Sequence, residues 1–198
     1  MTLRLDLLRH GATSGGGGFR GRLDDPLSET GWAQLRDAMA DHGPWTSVLS
    51  SPLQRCAAFA TELARQRGLE LQLEPDLREL DFGAWEGRTA GELMNSDAEA
   101  LGRFWHDPYG FTPPGAEPVA HFEARVLGAL HRLIDRHAKA HLLVVTHAGV
   151  MRLLLAQARG LPREQLLQVE VAHAGLFTLH AARAGTQLLL EESPCRPS

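Results

Sequence analysis

Lysine is almost absent from this chain: of its 20 basic residues, all but Lys139 are arginine. Arginine suits bidentate recognition of phosphate, but so general a bias lowers the weight of any one guanidinium, and position must decide which of them act. Cysteine is nearly as scarce. Cys56 and Cys195 lie far apart and form neither a disulfide framework nor a Cys-x-x-Cys pair, so a reduced, cytoplasmic compartment is expected. No apolar run approaches the roughly 18 residues of a membrane span, and the first residues enter an alternating segment rather than the apolar core of a leader. A surplus of positive charge is missing too. The net charge of −4 gives no global attraction for nucleic acid or an anionic membrane, so any positive field must be local, within a pocket.

What remains is an ordinary globular composition, 43% apolar and 22% charged over 198 residues, enough for one large domain with a full core. Leu3, Leu5 and Leu7 alternate with Arg4 and Asp6 as a half-buried strand does. The run then stops at Arg9-His10-Gly11 and enters four glycines, Gly15 to Gly18. A cation, an imidazole and a free backbone at a strand end can hold phosphate, and in open α/β sheets chemistry collects at the carboxyl ends of parallel strands. Alone the triplet decides nothing, since this composition yields roughly 0.1 such triplets per chain by chance.

Further along, Ser28 is the expected cap of a helix burying Trp32, Leu35 and Met39. Trp45 to Ser50 reads as a second strand, and Ser51-Pro52 opens a helix with proline in its first turn. That helix carries Arg55, Phe59 and Leu63 on one face. Leu69, Leu71 and Leu73 alternate as a third strand. Residues 77–87 read as a structured loop, followed by two modest helical stretches (89–94 and 97–105) and a proline-rich loop (107–118). The longest helix is expected over 119–138, with Phe122, Val126, Leu130, Leu133 and Ile134 on one face. Leu142 to Val145 is a continuous apolar run of the kind buried on both faces of a sheet. It ends at Thr146-His147-Ala148-Gly149, ahead of a helix over 150–158. Segments 167–171, 176–179 and 188–190 are the remaining expected strands, and 194–198 a loose tail. This alternation predicts an α/β three-layer sandwich, a mostly parallel sheet with helices on both faces. Residues 1–198 read as a single domain, with residues 79–118 as a cap or lid over the site.

Four strand ends then carry related chemistry: Arg9 and His10, Arg55, Glu79, and His147 ahead of a helix N-terminus that itself favours anions. The stretches LLRHGAT, RGRLDDPLSETGWAQ, SSPLQRC, LRELDFGAWEG and VVTHAGVMR together resemble the histidine phosphatase, or phosphoglycerate mutase-like, superfamily. The resemblance covers nearly the whole chain. It implies the phosphoglycerate mutase-like fold, with His10 as nucleophile, Glu79 as proton donor, and Arg9, Arg55 and His147 as the phosphate clamp. Chemistry alone leaves Asp81 and Glu86 open as donors beside Glu79. The residue types suit the reaction: imidazole attacks phosphorus when neutral, and nearby Arg9 and Arg55 disfavour its protonated form. Thr13, Arg20, Gly21, Arg22 and Ala148 are candidate substrate contacts, and His173 a weaker candidate for lining the pocket. His106, His121 and His131 read as solvated. His137 and His141 form an i, i+4 pair without a third ligand, and neither metal nor cofactor is expected.

No adjacent arginine pair lies between Glu79 and Pro118, which favours a phosphatase over a mutase, and the intact His10, Glu79 and His147 speak against a non-catalytic binding module. Within the superfamily the loop after Glu79 most resembles the alpha-ribazole phosphatase branch. That implies alpha-ribazole 5′-phosphate as substrate, in cobalamin assembly, with a general sugar-phosphate or nucleotide phosphatase as the alternative. The expected partners are a small-molecule phosphomonoester and, as the candidate assembly, a second copy in a homodimer.

Overall fold

The computed structural model describes residues 2–185 and 187–193. One six-stranded sheet organises them: β1 (Leu3–Arg9), β2 (Ser47–Ser50), β3 (Leu71–Leu73), β4 (His141–Thr146), β5 (Leu176–Ala184) and β6 (Gln187–Glu192), in spatial order β3-β2-β4-β1-β5-β6. The first four run parallel, and β5 and β6 are antiparallel. The expected mostly parallel α/β sandwich is thus present, with its antiparallel pair at one edge.

Both faces are covered. Helices α1 (Glu29–Met39) and α2 (Gln54–Arg67) pack Leu35, Met39, Phe59 and Leu63 against Leu8, Val48, Leu143 and Val145. Helices α3 (Ala90–His106), α4 (Val119–Arg136) and α5 (Ala148–Ala158) pack against Leu3, Leu5, Leu7, Leu142 and Val144. The continuous apolar run of β4 therefore serves two cores, as expected of a central strand. The predicted face of α4 is buried in full. The two helical stretches expected between 89 and 105 are one helix bent at Asp97, whose φ of −159° and ψ of 57° interrupt it.

Some elements differ from the pattern. β1 is more than half-buried: Arg4 is exposed, but on the same face Leu8 packs with the α1 and α2 core and Asp6 is 3% exposed. Three hydrogen bonds hold that carboxylate, from Trp45 Nε1, Thr178 Oγ1 and His141 Nε2, each 2.8 Å long. Burial raises the Asp6 pKa, but these bonds outweigh it and keep it below the ordinary value. His141 is committed there rather than paired with His137. Pro52 lies outside α2, which opens at Gln54; Asp24 supplies the cap from a distant loop, accepting the Gln54 N–H at 2.7 Å. Trp32 is half-buried, with Arg36 stacked on its ring. His131 is half-buried too, and its Nε2 has no partner among the described residues.

Segment 167–171 is not a strand. A 3-10 turn over Arg163–Gln168 leads through a bend at Val169 into chain that joins no ladder. Val169 and Val171 are buried, which accounts for the apolar pattern. Their carbonyls accept arginine side chains instead of a neighbouring strand. The expected tail at 194–198 and Cys195 lie outside the described residues.

Candidate active site

The parallel strands β1, β2 and β4 end at one edge of the sheet, and the chemistry stands at those ends. Gly11 makes this possible. A Cβ there would overlap the Gly31 carbonyl in the first turn of α1, and one on Gly31 would overlap the Ala12 carbonyl. Two glycines thus let the chain leaving β1 lie directly on a helix, with His10 turned into a cavity of about 480 Å³.

His10 is 8% exposed, and its Nδ1 lies 2.8 Å from the Gly11 carbonyl. A carbonyl only accepts, so Nδ1 carries the proton and Nε2 keeps a free lone pair. Burial, with Arg55 and Arg9 nearby, lowers the His10 pKa to about 3. His147 lies behind it, the two ring centroids 5.3 Å apart. Arg55 Nε donates to His147 Nδ1 at 3.2 Å, so His147 Nε2 donates to Ser51 Oγ at 2.7 Å. Burial, then Arg55, holds the His147 pKa well below its ordinary value. Both imidazoles are neutral near pH 7 although arginines surround them.

This arrangement sets a pH dependence of stability. An unfolded histidine binds a proton below about pH 6.5, whereas His10 folded binds one only near pH 3. Protons taken up on unfolding therefore destabilise the fold as pH falls from about 6.5 toward 3, by roughly 1.4 kcal/mol per pH unit for each such group. Denaturant titrations between pH 7.5 and 4.5 check this. A flat profile would mean that neither histidine is held neutral.

Glu79 follows the 3-10 turn Pro75–Leu77 after β3. Its Oε1 accepts the Leu80 N–H at 3.0 Å and its Oε2 the Gly149 N–H at 2.9 Å. Arg125 fixes the approach, donating to the carbonyls of Asp76, Arg78 and Glu79. Among the described residues, Glu79 is the only carboxylate lining the cavity. Glu86 instead accepts backbone N–H groups of Gly21, Arg22, Leu23 and Phe82, and Asp81 accepts the Gly83 N–H and faces Arg22.

Of the other sequence candidates, Arg9, Thr13, Arg20 and Ala148 line the cavity. Arg9 Nη1 donates to Val171 O at 2.7 Å, and Nη2 lies 3.0 Å from His173 Nε2. Arg20 binds Asp25 and wraps the carbonyls of Gly15, Gly16 and Gly17, so it shapes the glycine loop. Gly21 and Arg22 do not line the cavity. Arg55, 1% exposed, does not line it either. Besides His147, its guanidinium donates to the carbonyls of Leu23, Arg20 and Gly21. Sequence reasoning missed Arg152 and gave little weight to His173, and both line the cavity. Its outer wall is aromatic and aliphatic: Phe19, Phe82, Phe104, Trp105, Phe122 and Leu167.

A neutral nucleophilic imidazole, a guanidinium and a carboxylate around one cavity, with an apolar wall beyond, suit group transfer from a phosphomonoester. Comparison with known proteins points the same way. Residues 5–193 match the family described as the histidine phosphatase superfamily (branch 1). The chain is 34% identical over 173 residues to the adenosylcobalamin/alpha-ribazole phosphatase of Escherichia coli, covering 85% of each protein. It is 40% identical over 160 residues to a bifunctional protein of Mycobacterium tuberculosis, covering 78% of this chain but only 44% of that relative. The chain thus spans less than half the length of this larger protein. Among solved structures, the alpha-ribazole phosphatase of Shigella flexneri superposes with a TM-score of 0.78 at 29% identity, over 96% of this chain and 95% of that one. The chain belongs to the histidine phosphatase superfamily.

Proposed function

We propose that the protein hydrolyses a phosphomonoester through a phosphohistidine on His10, and that its substrate is alpha-ribazole 5′-phosphate, in cobalamin assembly in the cytoplasm. The observation that carries the mechanism is the Nδ1 contact to Gly11 O, which leaves Nε2 as the attacking atom. In the first step the Nε2 lone pair forms the N–P bond while the bond from phosphorus to the alcohol oxygen breaks. Glu79, carrying a proton, gives it to the departing alkoxide. In the second, Glu79 takes a proton from water as the water oxygen attacks phosphorus. The N–P bond then breaks and phosphate leaves. Arginines beside the transferred group neutralise its oxygens.

The substrate assignment is supported by the apolar wall of the cavity, which suits a planar, weakly polar alcohol half, and by the names of the relatives from Escherichia coli and Shigella flexneri. A panel of phosphomonoesters in excess EDTA tests both parts. Alpha-ribazole 5′-phosphate is expected to give the highest kcat/KM, with chelation leaving the rates unchanged. Comparable kcat/KM on sugar phosphates and nucleotides would favour the general phosphatase. Loss of activity on chelation, restored by zinc or magnesium, would contradict the proposed charge balance.

Gly149 offers a test of the Glu79 geometry. A Cβ on Gly149 would overlap Glu79 Oε1, at the far end of a flexible side chain, so the fold can yield by moving the carboxylate. Gly149 sits in the first turn of α5, where alanine is the better helix former by up to about 1 kcal/mol. Gly149→Ala is therefore expected to keep or raise the Tm while turnover drops about tenfold. Unchanged turnover would show that Glu79 needs no fixed position.

A further inference from the structure

Trp105 stands apart from the other rings around the cavity. It follows the fully buried Leu101 by four residues, so both share the inward side of α3. Yet its indole is 44% exposed, and of the large exposed apolar side chains among the described residues only this one lines the cavity. The phenylalanines of the wall are committed to the protein. Phe19, Phe82 and Phe104 pack on one another with centroids 5.0 to 6.5 Å apart, and Phe19 and Phe104 also pack on Trp85. Phe122 is 2% exposed and carries the Arg125 guanidinium over its ring at 4.8 Å. Among the described residues, Trp105 stacks on no ring or guanidinium, and its indole N–H has no acceptor. Its backbone is nonetheless fixed. Phe104 before it is locked in the aromatic cluster, and Arg103 lies over the Phe111 ring at 4.8 Å. The chain beyond turns on two bonds, Asp107 N–H to Arg103 O and Phe111 N–H to Asp107 O. A flat apolar surface left open on a pinned turn is preorganised for a flat ligand.

We propose that Trp105 is the specificity-determining residue of the site, stacking on a planar ring in the alcohol half of the substrate while the phosphoryl group lies against His10. The proposal rests on the function proposed above and narrows it: the favoured substrates are phosphomonoesters of ring-bearing ribosides, and ring-free sugar phosphates are poor ones. The space allows it. A cavity of about 480 Å³ lies in the range that holds a whole small organic molecule, so room is left beyond the phosphate. Stacking tolerates different rings, because each offers a π-face. Binding energy gained on a remote part of a substrate can be realised at the reacting centre, so the effect is read in kcat/KM.

Alpha-ribazole 5′-phosphate, adenosine 5′-monophosphate and ribose 5-phosphate carry the same phosphorylated ribose carbon, and the last lacks the ring. Their kcat/KM values are compared on wild type, Trp105→Leu and Trp105→Phe. Wild type is expected to favour the ring-bearing esters over ribose 5-phosphate. Trp105→Leu should narrow that ratio about tenfold or more, and Trp105→Phe should recover part of it. Equal losses on all three esters would make Trp105 a mere part of the wall and overturn the proposal. So would a wild type without preference for a ring, or a ratio that Trp105→Leu leaves intact. If adenosine monophosphate is turned over as well as alpha-ribazole phosphate, the substrate assignment above fails, while the ratio against ribose 5-phosphate still decides the role of Trp105.

Discussion

His10→Ala is expected to lose turnover by about 10⁴-fold or more, the scale seen when a covalent nucleophile is removed, with its fold intact. The loss is large because no other group can take over. His147 is fully buried behind His10 with both ring nitrogens bonded, and His173 Nε2 is turned toward Arg9. The fold survives because, among the described residues, the His10 side chain hydrogen-bonds only to its neighbour's carbonyl. The backbone links at this position, His10 N–H to Thr146 O and Ala174 N–H to His10 O, do not involve the imidazole. The variant should also lose part of the acid-side decline in stability, since one histidine held neutral is gone. A folded His10→Ala protein with more than about a hundredth of wild-type turnover would be incompatible with a nucleophilic His10.

Glu79→Gln is expected to separate substrates by leaving group. An acid helps most where the departing alkoxide is poor, so an alkyl phosphate should lose about 10²-fold or more. p-Nitrophenyl phosphate, whose phenolate needs little protonation, should lose much less in the step that phosphorylates His10. Glutamine keeps one acceptor oxygen, enough for one of the N–H groups of Leu80 and Gly149, while its amide NH2 faces the other, so a Tm and a phosphate Ki close to wild type must accompany the comparison for it to report chemistry. The burst of phenolate release must be followed, because hydrolysis of the phosphohistidine also draws on this carboxylate and would mask the difference at steady state. Equal burst losses for both substrates would mean that Glu79 positions phosphate without donating a proton. Glu86 is a poor substitute, since four backbone N–H groups occupy its carboxylate.

The parts of the site legible in the sequence are those that strand ends fix. Once β1, β2 and β4 are read as parallel neighbours, His10, the start of α2 and His147 must meet at one edge. The motif stretches located Glu79 as well. Arg152 and His173 were hidden for a different reason. Arg152 is turned to the cavity by Val169, 17 residues away in the chain, and in a chain rich in arginine nothing local distinguishes it. Arg55 shows the converse: it stands beside His147, where the pattern places it, yet three loop carbonyls and His147 take four of its five N–H donors. Hydrophobic periodicity also reports burial rather than hydrogen bonding. Val169 and Val171 are as buried as strand residues, but their carbonyls hold arginines. Asp6 deceived in the same way, because a charge in an alternating strand looks exposed until Trp45, Thr178 and His141 are seen around it.

The most direct test of the central claim is the site of phosphate attachment. Wild-type protein mixed briefly with substrate and quenched in alkali, where phosphohistidine survives, can be examined by phosphorus NMR and by peptide mapping. Because Nδ1 donates to Gly11 O, the phosphate is expected on Nε2 of His10, labile to acid and absent from His10→Ala. Phosphate on Nδ1, on another residue, or still present in His10→Ala would contradict it.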